Sequence, residues 1–98
     1  MNVSVDYKED TDRVVEVMRR VAVEMYEEAR YRPLMLEPIE IMGVDNFTDA
    51  AVILKARLKT LPLEQFNIGR EYRRRLKKVF DAEKIAMPRA QMTLSAAR

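Results

Sequence analysis

The sequence predicts an α+β domain with the element order β-α-β-β-α-β, in which two helices cover one face of an antiparallel sheet. Two segments repeat their apolar residues with a helical period, and the segments before and between them alternate apolar and polar residues as half-buried strands do. A short loop separates the two middle strands, and strands joined so closely pair as an antiparallel hairpin. Elements in this order describe the split βαβ, or ferredoxin-like, plan.

The first strand is read from Val3, Val5 and Tyr7, which alternate with Ser4 and Asp6. Lys8 to Asp12 breaks the alternation and opens a helix. Asp10 suits the N-cap, and Asp12 sits where a carboxylate favours the helix dipole. From Thr11 to about Arg30, Val14, Val15, Met18, Val21, Ala22, Met25 and Ala29 fall on one stripe. Glu16/Arg20 and Glu28/Arg32 have the spacing of i,i+4 ion pairs. Pro33, which cannot donate to the helix ladder, is expected to end the helix. The two methionines at core spacing, Met18 and Met25, read as core filling.

After a connector from Leu34 to Pro38, Ile39 to Val44 alternates as a second strand, and Asp45 to Asp49 carries turn chemistry. Ala50 to Lys59 is the clearest strand. Val52, Leu54, Ala56 and Leu58 face one way, and Lys55, Arg57 and Lys59 face the other. The second helix is expected from Pro62 to Glu83, with Ile68, Tyr72, Leu76, Val79 and Phe80 inward and Arg70, Arg73, Arg74, Lys77 and Lys78 outward. Ile85 to Pro88 leaves that helix, and Gln91, Met92, Thr93 and Leu94 form a last short strand. The expected division is residues 1–90 for the α/β domain and residues 91–98 for the final strand and tail.

Composition excludes several chemistries. The chain has 98 residues, enough for one core, and contains neither Cys nor His. Thiol nucleophiles, disulfides, Ser-His-Asp triads and ordinary zinc sites are therefore ruled out. Two glycines provide no phosphate-cradling loop. Glu9, Asp10 and Asp12 lack calcium-loop spacing and read as a helix cap. The adjacent pair Glu27 and Glu28 projects in directions about 100° apart, a poor acid/base pair. No nucleophile, base and oxyanion site come together, so neither an enzyme nor a cofactor is expected. The longest apolar run, Ala50 to Leu54, is far short of the ~20 residues that cross a bilayer.

The net charge of +2 conceals an asymmetry: residues 1–50 carry a net of −6 and residues 51–98 a net of +8. Such a division points either to a polyanion partner or to subunit surfaces that face each other. The basic second helix invites the first reading. Yet the third strand has no aromatic residues for base stacking, so nucleic acid is not an expected partner. A free-standing nucleic-acid-binding module that uses the basic helix is kept as the alternative function.

Residues Val3 to Val14 resemble the opening of the C-terminal cytosolic domain of the small-conductance mechanosensitive channel (MscS) family, which has alternating valines, a Tyr and an Asp-x-Asp-x-x-Val helix start. Asp45 to Lys59 is similar to that family's hairpin, and Arg70 to Asp81 to its basic second helix. Ile85-Ala86-Met87-Pro88 is similar to the family's exit from that helix, and Gln91 to Leu94 to the strand that follows. Lys84 stands where family members often have Gly, and Pro88-Arg89-Ala90-Gln91 where they often read Pro-Phe-Pro-Gln.

The resemblance implies a structural and assembly domain of a homo-heptameric channel, on the cytosolic side of the bacterial inner membrane. The membrane would be reached only through an N-terminal part that this chain lacks. Seven copies would build a vestibule through which ions and small solutes pass. Gln91, Met92, Thr93 and Leu94 would join a barrel at its base. The candidate lumen or subunit-interface residues are Lys55, Arg57, Lys59, Arg70, Arg73, Arg74, Lys77 and Lys78.

Overall fold

The computed structural model describes residues 1–88. Among these, the elements are β1 (Asn2–Asp6), α1 (Thr11–Glu27), a single 3-10 turn (Arg32–Leu34), β2 (Glu40–Phe47), β3 (Ala51–Arg57) and α2 (Gln65–Ala82). The sheet order is β1-β3-β2, with β3 antiparallel to both neighbours. The two helices and the three-stranded antiparallel sheet make the fold α+β. The expected fourth strand, Gln91 to Leu94, and the division at residue 90 lie outside the described residues.

The core follows from the periodicities. Val3 and Val5 of β1 and Val52, Leu54 and Ala56 of β3 are buried, with the intervening positions turned outward. Against them pack Val14, Val17, Met18, Val21, Ala22 and Met25 of α1 and Ile68, Tyr72, Leu76 and Phe80 of α2. All belong to one cluster, which puts both helices on the same face of the sheet. Val17 is buried although the predicted stripe omits it, because α1 touches both the sheet and α2 and therefore buries a wider arc.

Helix α1 stops at Glu27, before the expected end near Arg30, and Ala29 is exposed. Glu28 is extended, at φ −76° and ψ 133°, and turns the chain sharply. That turn buries Tyr31, so Pro33 sits inside the following 3-10 turn and does not itself terminate α1. The opening is as expected: the Asp10 side chain accepts hydrogen bonds from the backbone N–H of Asp12 and Arg13.

Strand β2 runs on through Asp45, Asn46 and Phe47, which sequence chemistry assigns to the turn. Two register irregularities, between Ile41 and Gly43 and between Val44 and Asn46, absorb the extra residues. Gly43 takes a φ of 106°, a conformation that suits glycine. The turn itself is narrow, and the Thr48 hydroxyl oxygen accepts from the N–H groups of Ala50 and Ala51. Strand β3 ends at Arg57, before Lys59, because the chain there pairs instead with the connector through the Met35–Thr60 bridge. β1 ends at Asp6, which leaves Tyr7 exposed beside the Phe47 ring, at a centroid distance of 6.3 Å. Helix α2 starts at Gln65, three residues later than expected, after Leu63 takes a φ of 70°.

The exit from α2 shows how a family departure is accommodated. Lys84 takes the left-handed conformation, at φ 61°. The Ile85 N–H donates to the Phe80 carbonyl at 2.8 Å and the Lys84 N–H to the Asp81 carbonyl at 3.3 Å, the pair of bonds of a Schellman cap. The backbone keeps a glycine-type turn without a glycine, at a steric cost of about 1 kcal/mol. Lys84→Gly is therefore expected to stabilise the domain by about 1 kcal/mol, raising Tm by roughly 4–8 °C in a thermal melt.

Candidate functional site

The predicted charged residues are all exposed, but the fold treats them differently. On β3, Lys55 and Arg57 are exposed and alternate with the buried Leu54 and Ala56. On α2, Arg70, Arg73, Arg74, Lys77 and Lys78 lie opposite the buried stripe. Lys55 and Arg57 meet Arg73 in one open groove of about 560 Å³, bordered also by the apolar side chains of Met42, Leu58 and Phe66. Phe66 is 72% exposed, so the groove has an uncovered aromatic rim. Phe66 and Met42 are absent from the predicted set. Their signal in the sequence is an apolar residue on the outward side of its element.

Several cations are already neutralised within the chain. Arg57 lies 3.8 Å from Glu40 and Lys59 4.0 Å from Glu37. Arg74 holds Glu71 through two hydrogen bonds, and Lys77 bonds Asp81 one turn on. Among the described residues, Lys55, Arg70, Arg73 and Lys78 form no ion pair. The predicted basic face thus divides into paired residues and a smaller group whose charge is free to act outward.

Arg75 has a different role from its neighbours in the basic run. It bonds Glu71 one turn back and reaches across to both carboxylate oxygens of Glu28, just past the end of α1. Its guanidinium also lies 5.4 Å from the centre of the Tyr31 ring. It pins the end of α1 to α2. The predicted pairs Glu28/Arg32 and Glu16/Arg20 do not form. Glu28 is taken by Arg75, Arg20 pairs with Glu83, and Arg32 lies over the Tyr26 ring at 4.6 Å. Contacts across the fold win over local i,i+4 pairs, which are worth only a few tenths of a kcal/mol.

The bonds from Arg74 and then Arg75 hold the Glu71 carboxyl down at about 2, against an opposing push from desolvation. Its ordinary value is 4.5, so the folded state favours the ionised form. The resulting stability is present above pH 4.5 and lost as pH falls toward 2. Glu71→Gln should cost about 1 kcal/mol at neutral pH and flatten that acid loss. Urea unfolding at pH 6 and pH 3 would measure both.

The site supplies charge and an apolar rim. Among the described residues no cluster of three or more metal-ligating side chains occurs, and no helix is long and apolar enough to cross a membrane. Fold and surface together define an α+β domain that presents an exposed basic groove with an apolar rim. Residues 1–87 match the family described as "Mechanosensitive ion channel MscS, C-terminal", and the chain belongs to that family. It is 24% identical over 94 residues to the small-conductance mechanosensitive channel of Caldanaerobacter subterraneus, covering 96% of this chain and 32% of the relative. It is 26% identical over 87 residues to the moderate conductance mechanosensitive channel YbiO of Escherichia coli, covering 89% of this chain and 12% of that protein. The chain therefore spans a third or less of the curated relatives it matches. The family is a channel domain and not a recognised class of enzyme.

Proposed function

We propose that this domain is a structural and assembly unit of a mechanosensitive channel, repeated in identical subunits to enclose a vestibule on the cytosolic side of the pore. The family match across residues 1–87 carries the reading. The surface supports it: the domain combines a rigid apolar core with an outward field of unpaired Lys and Arg, which suits a wall that shapes the ions and solutes near a pore. Lys55, Arg70, Arg73 and Lys78 are the residues that face either the lumen or a neighbouring subunit. The ring has seven members. Pairing of Arg74, Arg75 and Lys77 with acidic neighbours weakens the alternative, a nucleic-acid-binding helix, since it reduces the charge that phosphates would meet.

The decisive experiment is a chimera in which this chain replaces the matching 94 residues of the Caldanaerobacter channel. The chimera is expected to assemble at the parent's size and to pass tension-activated current in membrane patches. A chimera that reaches the membrane but neither assembles nor conducts, while the separate domain folds, overturns the proposal.

A further inference from the structure

Folding leaves two groups of charge unmatched, and they lie on different helices. On α1, Asp12, Glu16, Val23 and Glu27 share the outward face, spaced at helical intervals opposite the buried stripe. Among the described residues, none of these three carboxylates, nor Glu24 beside them, forms an ion pair. Arg19 lies in the same stripe, but its guanidinium is turned toward the Ile41 carbonyl of β2, at 3.5 Å. On α2, Phe66, Arg70 and Arg73 form a matching line at i, i+4 and i+7, with Lys77 beyond them already paired with Asp81, and Arg73 and Phe66 open into the groove with Lys55. The acidic line has an exposed apolar residue, Val23 at 45%, and the basic line has Phe66 at 72%.

We infer that these two surfaces are partners: the acidic outer face of α1 in one copy docks on the basic line of α2 and its groove in the next. The argument is charge complementarity. The α1 line carries the unpaired carboxylates Asp12, Glu16 and Glu27, the α2 line carries the unpaired Arg70 and Arg73 with Lys55 in the adjoining groove, each line has one uncovered apolar residue, and within a single chain the two lines belong to separate helices. Glu28, Glu37 and Glu40 already neutralise Arg75, Lys59 and Arg57 within the chain, so the −6 and +8 halves of the sequence are only partly reconciled by folding. The remaining charge is matched between copies. Because the two surfaces differ, the contact is head-to-tail, the kind that generates a ring when its rotation closes. This inference rests on the assembly reading above and names the surfaces that assembly uses.

Two double variants of exposed residues test it. Glu16→Lys with Glu27→Lys makes the α1 face basic, and Arg70→Glu with Arg73→Glu makes the α2 line acidic. Sedimentation equilibrium of the 98-residue chain is followed up to about 1 mM at low salt, where charge contacts are least screened. The wild type is expected to self-associate, weakening at least tenfold between 50 and 500 mM salt. Each double variant alone should lose association at least tenfold while its circular dichroism is unchanged. An equimolar mixture of the two should regain it, because each offers the surface that the other has kept. The proposal is overturned if the wild type stays monomeric throughout, if either variant associates like the wild type, or if the mixture fails to associate. Any of those results with a conducting chimera would reject this contact and leave the channel reading intact.

Discussion

Val14→Asp is expected to abolish the fold. Val14 is fully buried in the first turn of α1, where it meets the core that the sheet and α2 share. A carboxylate there loses its hydration, and nothing in that apolar cluster offers a donor in return. The cost of burying an unpaired charge, several kcal/mol, is comparable with the total stability of a small domain, about 5–15 kcal/mol. The variant should show no cooperative thermal transition and a far-ultraviolet spectrum of an unfolded chain at 25 °C. Val23→Asp is the control. It makes the same chemical change on the same helix, at a residue 45% exposed, and should melt within about 0.5 kcal/mol of the wild type. If Val14→Asp melts like Val23→Asp, the inward face of α1 has been assigned wrongly.

The contrast between these two valines shows what could be read from the sequence. Periodicity places Val14 inside, since a helix repeats its environment every 3.6 residues, and the outer face follows by subtraction. The same reasoning locates Val52, Leu54 and Ala56 on β3 and the basic face of α2. What it misses is decided by tertiary contacts. Nothing local announces that Glu28 leaves the helix to meet Arg75, 47 residues away, or that Tyr31 is then buried. Asp45 and Asn46 look like a turn because their residue types favour one, yet the bulged pairing with β3 keeps them in β2. The candidate site was legible as a set of basic residues but not as a groove. Lys55, Arg57 and Arg73 come together only when β3 and α2 are placed side by side. Which cations remain free depends on partners such as Glu37 and Glu40, which sequence spacing does not link to them.

Tyr72 carries the second large effect, and its two substitutions separate two contributions. The sequence presents Tyr72 as one more apolar position on the inner stripe of α2. The fold buries the whole side chain, and its hydroxyl donates to the Met18 carbonyl of α1 at 2.9 Å. It therefore both fills the space between the helices and ties them with a polar bond. Tyr72→Ala removes both and leaves a cavity, an expected loss of about 3–5 kcal/mol. Tyr72→Phe keeps the ring and removes only the bond, an expected loss of about 1 kcal/mol. The Met18 carbonyl lies in the middle of α1, where the helix ladder supplies a second donor, so losing the hydroxyl should not orphan it. Alkaline pH supplies an independent check. Burial pushes the Tyr72 phenol well above its ordinary value of 10, because the phenolate would lose hydration. The folded state thus holds the proton more tightly than the unfolded state. Its contribution to stability is complete below pH 10 and falls as pH rises beyond it. Tyr72→Phe should lack that part of the alkaline loss while sharing the wild-type behaviour near neutrality. Urea titrations at pH 7 and pH 11 would compare the three proteins. A Tyr72→Phe loss as large as that of Tyr72→Ala would mean that the bond to α1, and not the packed ring, holds the two helices together.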